Sequence, residues 1–566
     1  MRSIIIKKNQ LSSEIISDYS DIQNEIPNRI PIANVVIQSN VIYTVASEET
    51  FSGGIAIKGN KIIAVDLMKN LNQYVTPKTT IMNMGDQTVM PGFIDGHTHT
   101  RVNHTVVGVN LIGVDSQEKA AEMIKQYIND YPDKTFVIGG GWSSNIGGNS
   151  YPHKRYIDAV VSDIPVVMKD LDGHAMWCNS KALELAGIDK SYADEFNQEH
   201  GDDLITVDSN GNPIGYLRES GCEKVKLIWP VYKTQDLEKC INVWLTYGVT
   251  AVNDMNPDQP GCDIHNQLKE LNDSGKLLVR QFLSIVPETP ESEIEETQKC
   301  FNSDMLHLNA LKIFMDGTGS SFTASMLKPY RNLSHAGPEP YCSAEQIKSY
   351  IMKANKYGLA VHIHACGDRA VKTALDSYSL AKELGVSLDY RFSIEHMDTF
   401  DYIDMFRPAM LGISCNVTPD FLAPTAQWCD NPYLKIYDKA VLAKLWRYAS
   451  LYRTGANISF GTDTYSSSYN PMVQIYRALE RVADDGEPTG GYEPEEKFTI
   501  KEAIRCYTLN GAKSIGMEKK LGTLEAGKYA DIIVLDHNIL DCSDQELRNT
   551  KVVLTMLGGK VVYQKT

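Results

Sequence analysis

"VMPGFIDGHTH", residues 89–99, runs apolar through Ile94 and then presents Asp95, His97 and His99 beside a glycine. Side chains two apart on a strand share a face, so the two imidazoles point together. Two neutral imidazoles converging on one point suit a borderline cation such as Zn²⁺. The same pair could instead cap the polar end of a strand, and H-x-H by itself does not separate the two. The ends of the other strands do.

Seven further apolar runs end in polar, chemistry-capable residues: "GVTAVNDM" (248–255), "LVRQFLSIV" (278–286), "NALKIFMDG" (309–317), "LAVHIHACGD" (359–368), "RFSIEHMD" (391–398), "LGISCNVTP" (411–419) and "NISFGTD" (457–463). Helical stretches such as "SAEQIKSYIMKANKYG" (343–358) and "DRAVKTALDSYSLAKELG" (368–385) separate several of them. Alternating strands and helices mark a parallel sheet, and eight of them predict a (β/α)8 TIM barrel with its site at the C-terminal strand ends. "TFVIGGGW" (135–142) and "IPVVMKDLDGH" (164–174) look equally strand-like and are assigned to an insertion after barrel strand one, spanning 101–247.

Short β-rich segments punctuated by glycine occupy both ends, at 34–46, 53–66 and 79–92 and again at 530–538 and 551–564. Neither group is large enough for a stable sheet, so one composite β-sandwich domain built from 31–90 and 516–566 is expected. The barrel then fills 91–515, and residues 1–30 form an N-terminal segment.

A balance of 55 basic against 71 acidic residues, net −16, disfavours nucleic acid and anionic membrane as partners. No apolar run is long enough for a transmembrane helix, and the first residues lack the apolar core of a signal peptide. Eleven cysteines without a C-x-x-C pair read as reduced thiols of a cytoplasmic protein. "GTGSSFTASM" (317–326) lacks a phosphate-loop arrangement, which argues against a nucleotide role.

The strand ends carry Lys312 on strand four, His364 on five, His396 on six and Asp463 on eight. A lysine among apolar residues is costly to bury charged. One remedy is reaction with CO₂ to a carbamate, an anionic oxygen ligand; another is an ion pair with Asp316. A single strand-end histidine is more often a satisfied core residue than a ligand, and Asp463 could simply start a loop. Taken jointly, these residues favour a metal site.

The chain resembles the amidohydrolase superfamily, within the subgroup of N-substituted formamide deformylase-like and exoenzyme-regulatory-protein-like hydrolases. The resemblance covers about residues 34–564. It rests on "MPGFIDGHTH", "GGGW" (139–142), "DGHAMWCNSKAL" (172–183), "GYLRES" (215–220), "LKIFMDGTGSS" (311–321), "HACGDRAV" (364–371), "IEHMD" (394–398), "GTDTYSSSYNPM" (461–472) and "YTLNGAKSIGMEKKLGTLEAGKYADIIVLD" (507–536). It implies metal ligands at His97, His99, Lys312, His364, His396 and Asp463, with Lys312 carboxylated as in many members. It selects His364 over His362, which is left a structural or supporting role.

The implied reaction is attack of metal-bound hydroxide on a small molecule's carbonyl, breaking an amide-type C–N bond. Asp463 is both ligand and proton shuttle. The cofactor is one or two divalent ions, zinc first. His174 is expected to hydrogen-bond the developing oxyanion, or else to be a loop histidine held by Asp172. Trp142 is expected as an aromatic wall for substrate, or else as a core tryptophan. Hydrolysis of a cyclic amide, carbamate or ester on the same centre is an alternative, as is a catalytically silent binding or regulatory member. The sequence leaves the oligomeric state open, a homodimer being common among similar proteins.

Overall fold

The computed structural model describes residues 31–565 except 144–145, 147–150, 171–174, 201–202, 332 and 465. Eight parallel strands follow one another in chain order around a barrel. Strand one is Phe93–Thr98, two Val249–Asp254, three Arg280–Ile285 and four Leu306–Phe314. Strand five is Ala360–Ala365, six Ser393–His396, seven Ser414–Val417 and eight Asn457–Phe460. Seven lie within the runs that the sequence assigned to them, and strand four begins three residues before its run of 309–317. Helices with buried apolar faces return the chain between several of them. Ala344–Lys356 is started by a capping box of Ser343 and Gln346, and Asp368–Glu383 begins directly after strand five.

Strands eight and one meet closely because a glycine stands on one side of each contact, Gly96 on strand one and Gly461 just past strand eight. A Cβ on Gly96 would lie 2.1 Å from Ser459 Oγ, and one on Gly461 would lie 2.5 Å from the His97 nitrogen. The Asp463 amide then donates to the His97 carbonyl at 2.7 Å. This explains the glycine beside the two histidines: it lets strand eight bring its aspartate to them.

The strands of the two chain ends share one sheet of eight strands. Thr88–Pro91 pairs antiparallel with Ile532–Leu535, placing Met90 opposite Ile533. Ile37, Ile55, Val89, Ile532, Val534 and Met556 share its core. Between barrel strands one and two, a six-stranded sheet contains Val137–Trp142 and Val166–Asp170, the two strand-like runs that stand outside the barrel.

The floor of the barrel is tied to the composite sheet by a buried ion pair. Arg280, first residue of strand three, donates from Nε to Asp531 Oδ2 at 2.8 Å and from Nη2 to Oδ1 at 3.0 Å. Both side chains are almost wholly buried.

Candidate metal centre

Alternation along strand one turns Asp95, His97 and His99 to the same side. The Asp95 carboxylate accepts from the Thr462 amide at 2.9 Å and the Thr462 hydroxyl at 2.5 Å, fixing the end of strand eight. Burial pushes its carboxyl up to about 6, against those hydrogen bonds.

His97 Nδ1 lies 2.6 Å from Glu395 Oε2, and His99 Nδ1 lies 3.0 Å from Asn256 Oδ1. Both partners are acceptors, so each Nδ1 carries a proton and each Nε2 in the neutral ring keeps its lone pair. Those two Nε2 atoms face one carboxylate oxygen, Asp463 Oδ1, at 3.5 Å and 3.0 Å. Lone pairs turned on a carboxylate repel unless a proton or a cation stands between them. His97, His99 and Asp463 are thus a donor set in search of positive charge, with ligand atoms within 4.8 Å of one another. Burial opposes the charged forms of His97 and Asp463. Their mutual attraction outweighs it, raising the His97 pKa and holding the Asp463 carboxyl well below its usual range.

The His396 ring centroid lies 4.6 Å from that of His97 and 4.4 Å from that of His364, so four imidazoles form a continuous group. Burial holds His364 and His396 neutral, pushing His364 down to about 3. His364 turns Nε2 toward the Gly317 carbonyl at 3.2 Å and the Cys366 sulfur at 3.5 Å, outside the tight His97–His99–Asp463 group. Both His396 and Asp463 have left-handed backbone, with φ of 70° and 45°. Such conformations cost about 1–3 kcal/mol each in non-glycine residues and cluster at functional sites.

Lys312 is 1% exposed, and its ammonium has no hydrogen-bond partner among the described residues. Burial lowers its pKa, against the attraction of Glu395 and Asp463. The alternative ion pair with Asp316 is not formed. That carboxylate is occupied by the amides of Ser325, Cys366 and Gly367 at 2.9, 3.0 and 2.8 Å. An orphaned buried amine beside imidazoles and a carboxylate fits a metal centre and fits a carbamate. His362, deeper on strand five, bonds Ser284 Oγ through Nδ1 at 3.2 Å.

Trp142 is 1% exposed, and its indole N–H donates to the Met168 carbonyl at 2.8 Å. Its ring packs against Trp177 and Tyr216 within the insertion, the surroundings of a core tryptophan rather than of a substrate wall. His174 lies outside the described residues.

Glu395 is the residue that sequence reasoning missed. Besides His97 it accepts from Ser393 Oγ and, at 3.1 Å, from Asn416 Nδ2. Burial opposes its charge, but the contact with His97 prevails and holds its carboxyl down to about 2. Neighbours on a strand point to opposite faces. A parity reading that directs His396 inward therefore directs Glu395 outward, and the left-handed turn at His396 brings both to the site. The available signal was "SIEH" (393–396), a carboxylate in a fully buried strand that itself holds no lysine or arginine to pair it.

A ring of parallel strands whose C-terminal ends gather imidazoles, a carboxylate and an amine defines a barrel protein with a candidate cation site at its mouth. The chain belongs to the amidohydrolase family, whose sequence pattern matches residues 80–563. It is 27% identical over 546 residues to the protein LONG AFTER FAR-RED 3 of Arabidopsis thaliana, covering 94% of this chain and 92% of that one. It is 25% identical over 554 residues to N-substituted formamide deformylase of Arthrobacter pascens, covering 94% of this chain and 98% of that enzyme. In fold it is similar to an uncharacterized metal-dependent hydrolase of Pyrococcus furiosus, with a TM-score of 0.70 at 24% identity, covering 90% of this chain and 100% of that one.

Proposed function

We propose that the chain hydrolyses an amide-type C–N bond of a small molecule at the barrel mouth, with a divalent metal, zinc first, as cofactor. The observation that carries this reading is the convergence of His97 Nε2 and His99 Nε2 on Asp463 Oδ1 while each Nδ1 is engaged behind. The amidohydrolase family supports hydrolysis of a C–N bond, and the Arthrobacter relative supports an amide as the group cleaved.

His97, His99 and Asp463 would hold the ion, with His364, His396 and carboxylated Lys312 completing one or two sites. When bound, the metal supplies Lewis acidity and brings the pKa of a coordinated water down to about 7. Glu395 and Asn256 fix the tautomers of His97 and His99, so that both rings offer lone pairs to the mouth. Asp463 takes the proton of the attacking water and returns it to the leaving amine nitrogen. His174 donates to the carbonyl oxygen as charge develops there. Phe314, 40% exposed with its ring 5.2 Å from that of His364, borders the place where substrate would lie.

No helix among the described residues is long and apolar enough to cross a membrane. We place the protein in the cytoplasm on its cysteine pattern, eleven scattered residues without a C-x-x-C pair.

Plasma mass spectrometry on protein purified without chelator tests the reading. One to two equivalents of zinc or a neighbouring metal that are lost on His97→Ala/Asp463→Ala are expected. Lys312→Ala should lower that content, with partial recovery in short carboxylic acids. Unchanged content in that variant removes Lys312 from the ligand set. Absence of metal, with none taken up on reconstitution, overturns the hydrolase reading in favour of a binding protein.

A further inference from the structure

A second set of ligand-type side chains converges away from the four imidazoles, where strand two leads into its helix. Asp258 lies in the connecting segment, Cys262 immediately precedes helix Asp263–Asp273, and His265 sits in its first turn. Their donor atoms lie within 4.8 Å of one another. Positions three apart in a helical turn share a face, which places the cysteine and the histidine side by side.

His265 is the telling member. It is 1% exposed, and neither of its ring nitrogens has a hydrogen-bond partner among the described residues. A buried polar atom left unpaired costs about 1–3 kcal/mol, and this ring has two. The neighbouring inward positions of the same helix are Leu268 and Leu271, and the edge of the ring meets Phe301 at a centroid distance of 5.2 Å. Packing alone would be better served by another leucine. The ring does aim at a charge, because Nε2 lies 4.0 Å from Asp258 Oδ2. That gap is too long for a hydrogen bond, yet it suits two ligands flanking one ion.

Arg101 forks onto the same carboxylate, with Nη1 2.7 Å from Oδ2 and Nη2 against Oδ1. A carboxylate offers about four acceptor lone pairs, and the fork uses two of them. The others remain for a cation. Arg101 also limits which cation can enter, since a site with one shared carboxylate is too weakly anionic for a hard ion that needs several oxygens. A sulfur, a nitrogen and an oxygen donor instead match a borderline transition metal.

We propose that Asp258, Cys262 and His265 form a second metal site, independent of the barrel-mouth centre, that takes zinc(II) or a similar borderline ion. On binding, the Cys262 S–H proton leaves to solvent and the thiolate electron pair goes to the metal, with no change of oxidation state. Cys262 is partly exposed, which gives the ion a way in. Such an ion would staple the segment that also carries Asn256, whose Oδ1 holds His99 Nδ1 at 3.0 Å. It would thereby act as a structural support behind one mouth ligand.

Cobalt(II) titration of a His97→Ala/His99→Ala/His364→Ala/His396→Ala chain, with folding confirmed by circular dichroism, isolates this site. One equivalent is expected, with a thiolate-to-cobalt charge-transfer band in the near ultraviolet. Cys262→Ser should abolish the band and His265→Ala should lose the bound equivalent, while Cys366→Ser leaves both. No band, or a band that survives Cys262→Ser, overturns the proposal. If that variant does not fold, the same titration on the full native chain reads the site by difference. Cys262→Ser should then bind one equivalent less than native protein, and equal binding overturns the proposal while leaving the mouth centre untouched.

Discussion

Asp463 collects more of the site's physics than any other residue. It faces two imidazole lone pairs, stands in a left-handed conformation and closes the barrel through its own amide. Asp463→Asn keeps the shape and removes the charge. We expect an intact fold by circular dichroism and turnover reduced by about 10²–10⁴-fold, the usual worth of a positioned proton carrier. Near-normal turnover would take the proton-shuttle role away. At this scale the sequence was informative where a candidate ligand stands at a strand end, as His97, His99 and Asp463 do, and these three the fold brings together. It was silent on Glu395, because period-two reasoning assumes regular backbone and the His396 φ of 70° breaks that assumption. Trp142 shows a case where the residue type alone could not choose, since a tryptophan serves equally as a substrate wall or as a core residue. Here the indole lies in a core with its N–H satisfied.

Elements meet where side chains are missing. Gly96→Ala would drive its Cβ into Ser459 Oγ, a side-chain atom, whereas Gly461→Ala would meet the backbone of His97. Both should destabilise by about 1–3 kcal/mol, as overpacked sites do. Thermal melts of the two single variants, and of each combined with Ser459→Gly, separate the causes. The serine change should restore Gly96→Ala and leave Gly461→Ala impaired; equal rescue of both would refute the close-approach account. The barrel strands were legible because most of the buried runs stop at a polar residue with chemistry, strand three, whose run ends Ile285–Val286, being the exception. Their closure was not, since a glycine gives no sign of which strand will press on it. The assignment of 135–142 and 164–174 to an insertion rested on a count of eight, and the structure supplies the reason in a separate sheet with its own apolar core.

At the scale of the whole molecule, the Arg280–Asp531 pair joins the floor of the barrel to the sheet made from both chain ends. Breaking a buried pair by removing one partner costs about 3–5 kcal/mol, because the other charge stays buried. Asp531→Ala should therefore lower the urea midpoint, and an unchanged midpoint would show that barrel and sheet are stable without this tie. Nothing in the sequence announced that pair, whose members are 251 positions apart.

The pairing of Met90 with Ile533 also has a consequence in time. Thr88 finds its hydrogen-bond partner, the carbonyl of His537, 449 residues later. At synthesis rates of about 5–20 residues per second, the first strands wait on the order of tens of seconds for the last ones. Through that interval Thr88–Pro91 is a strand with an open edge, the kind of surface on which nascent chains pair wrongly with one another. The barrel between them is made during the wait, so the enzyme's own catalytic body is complete in sequence before the sheet that braces it can close.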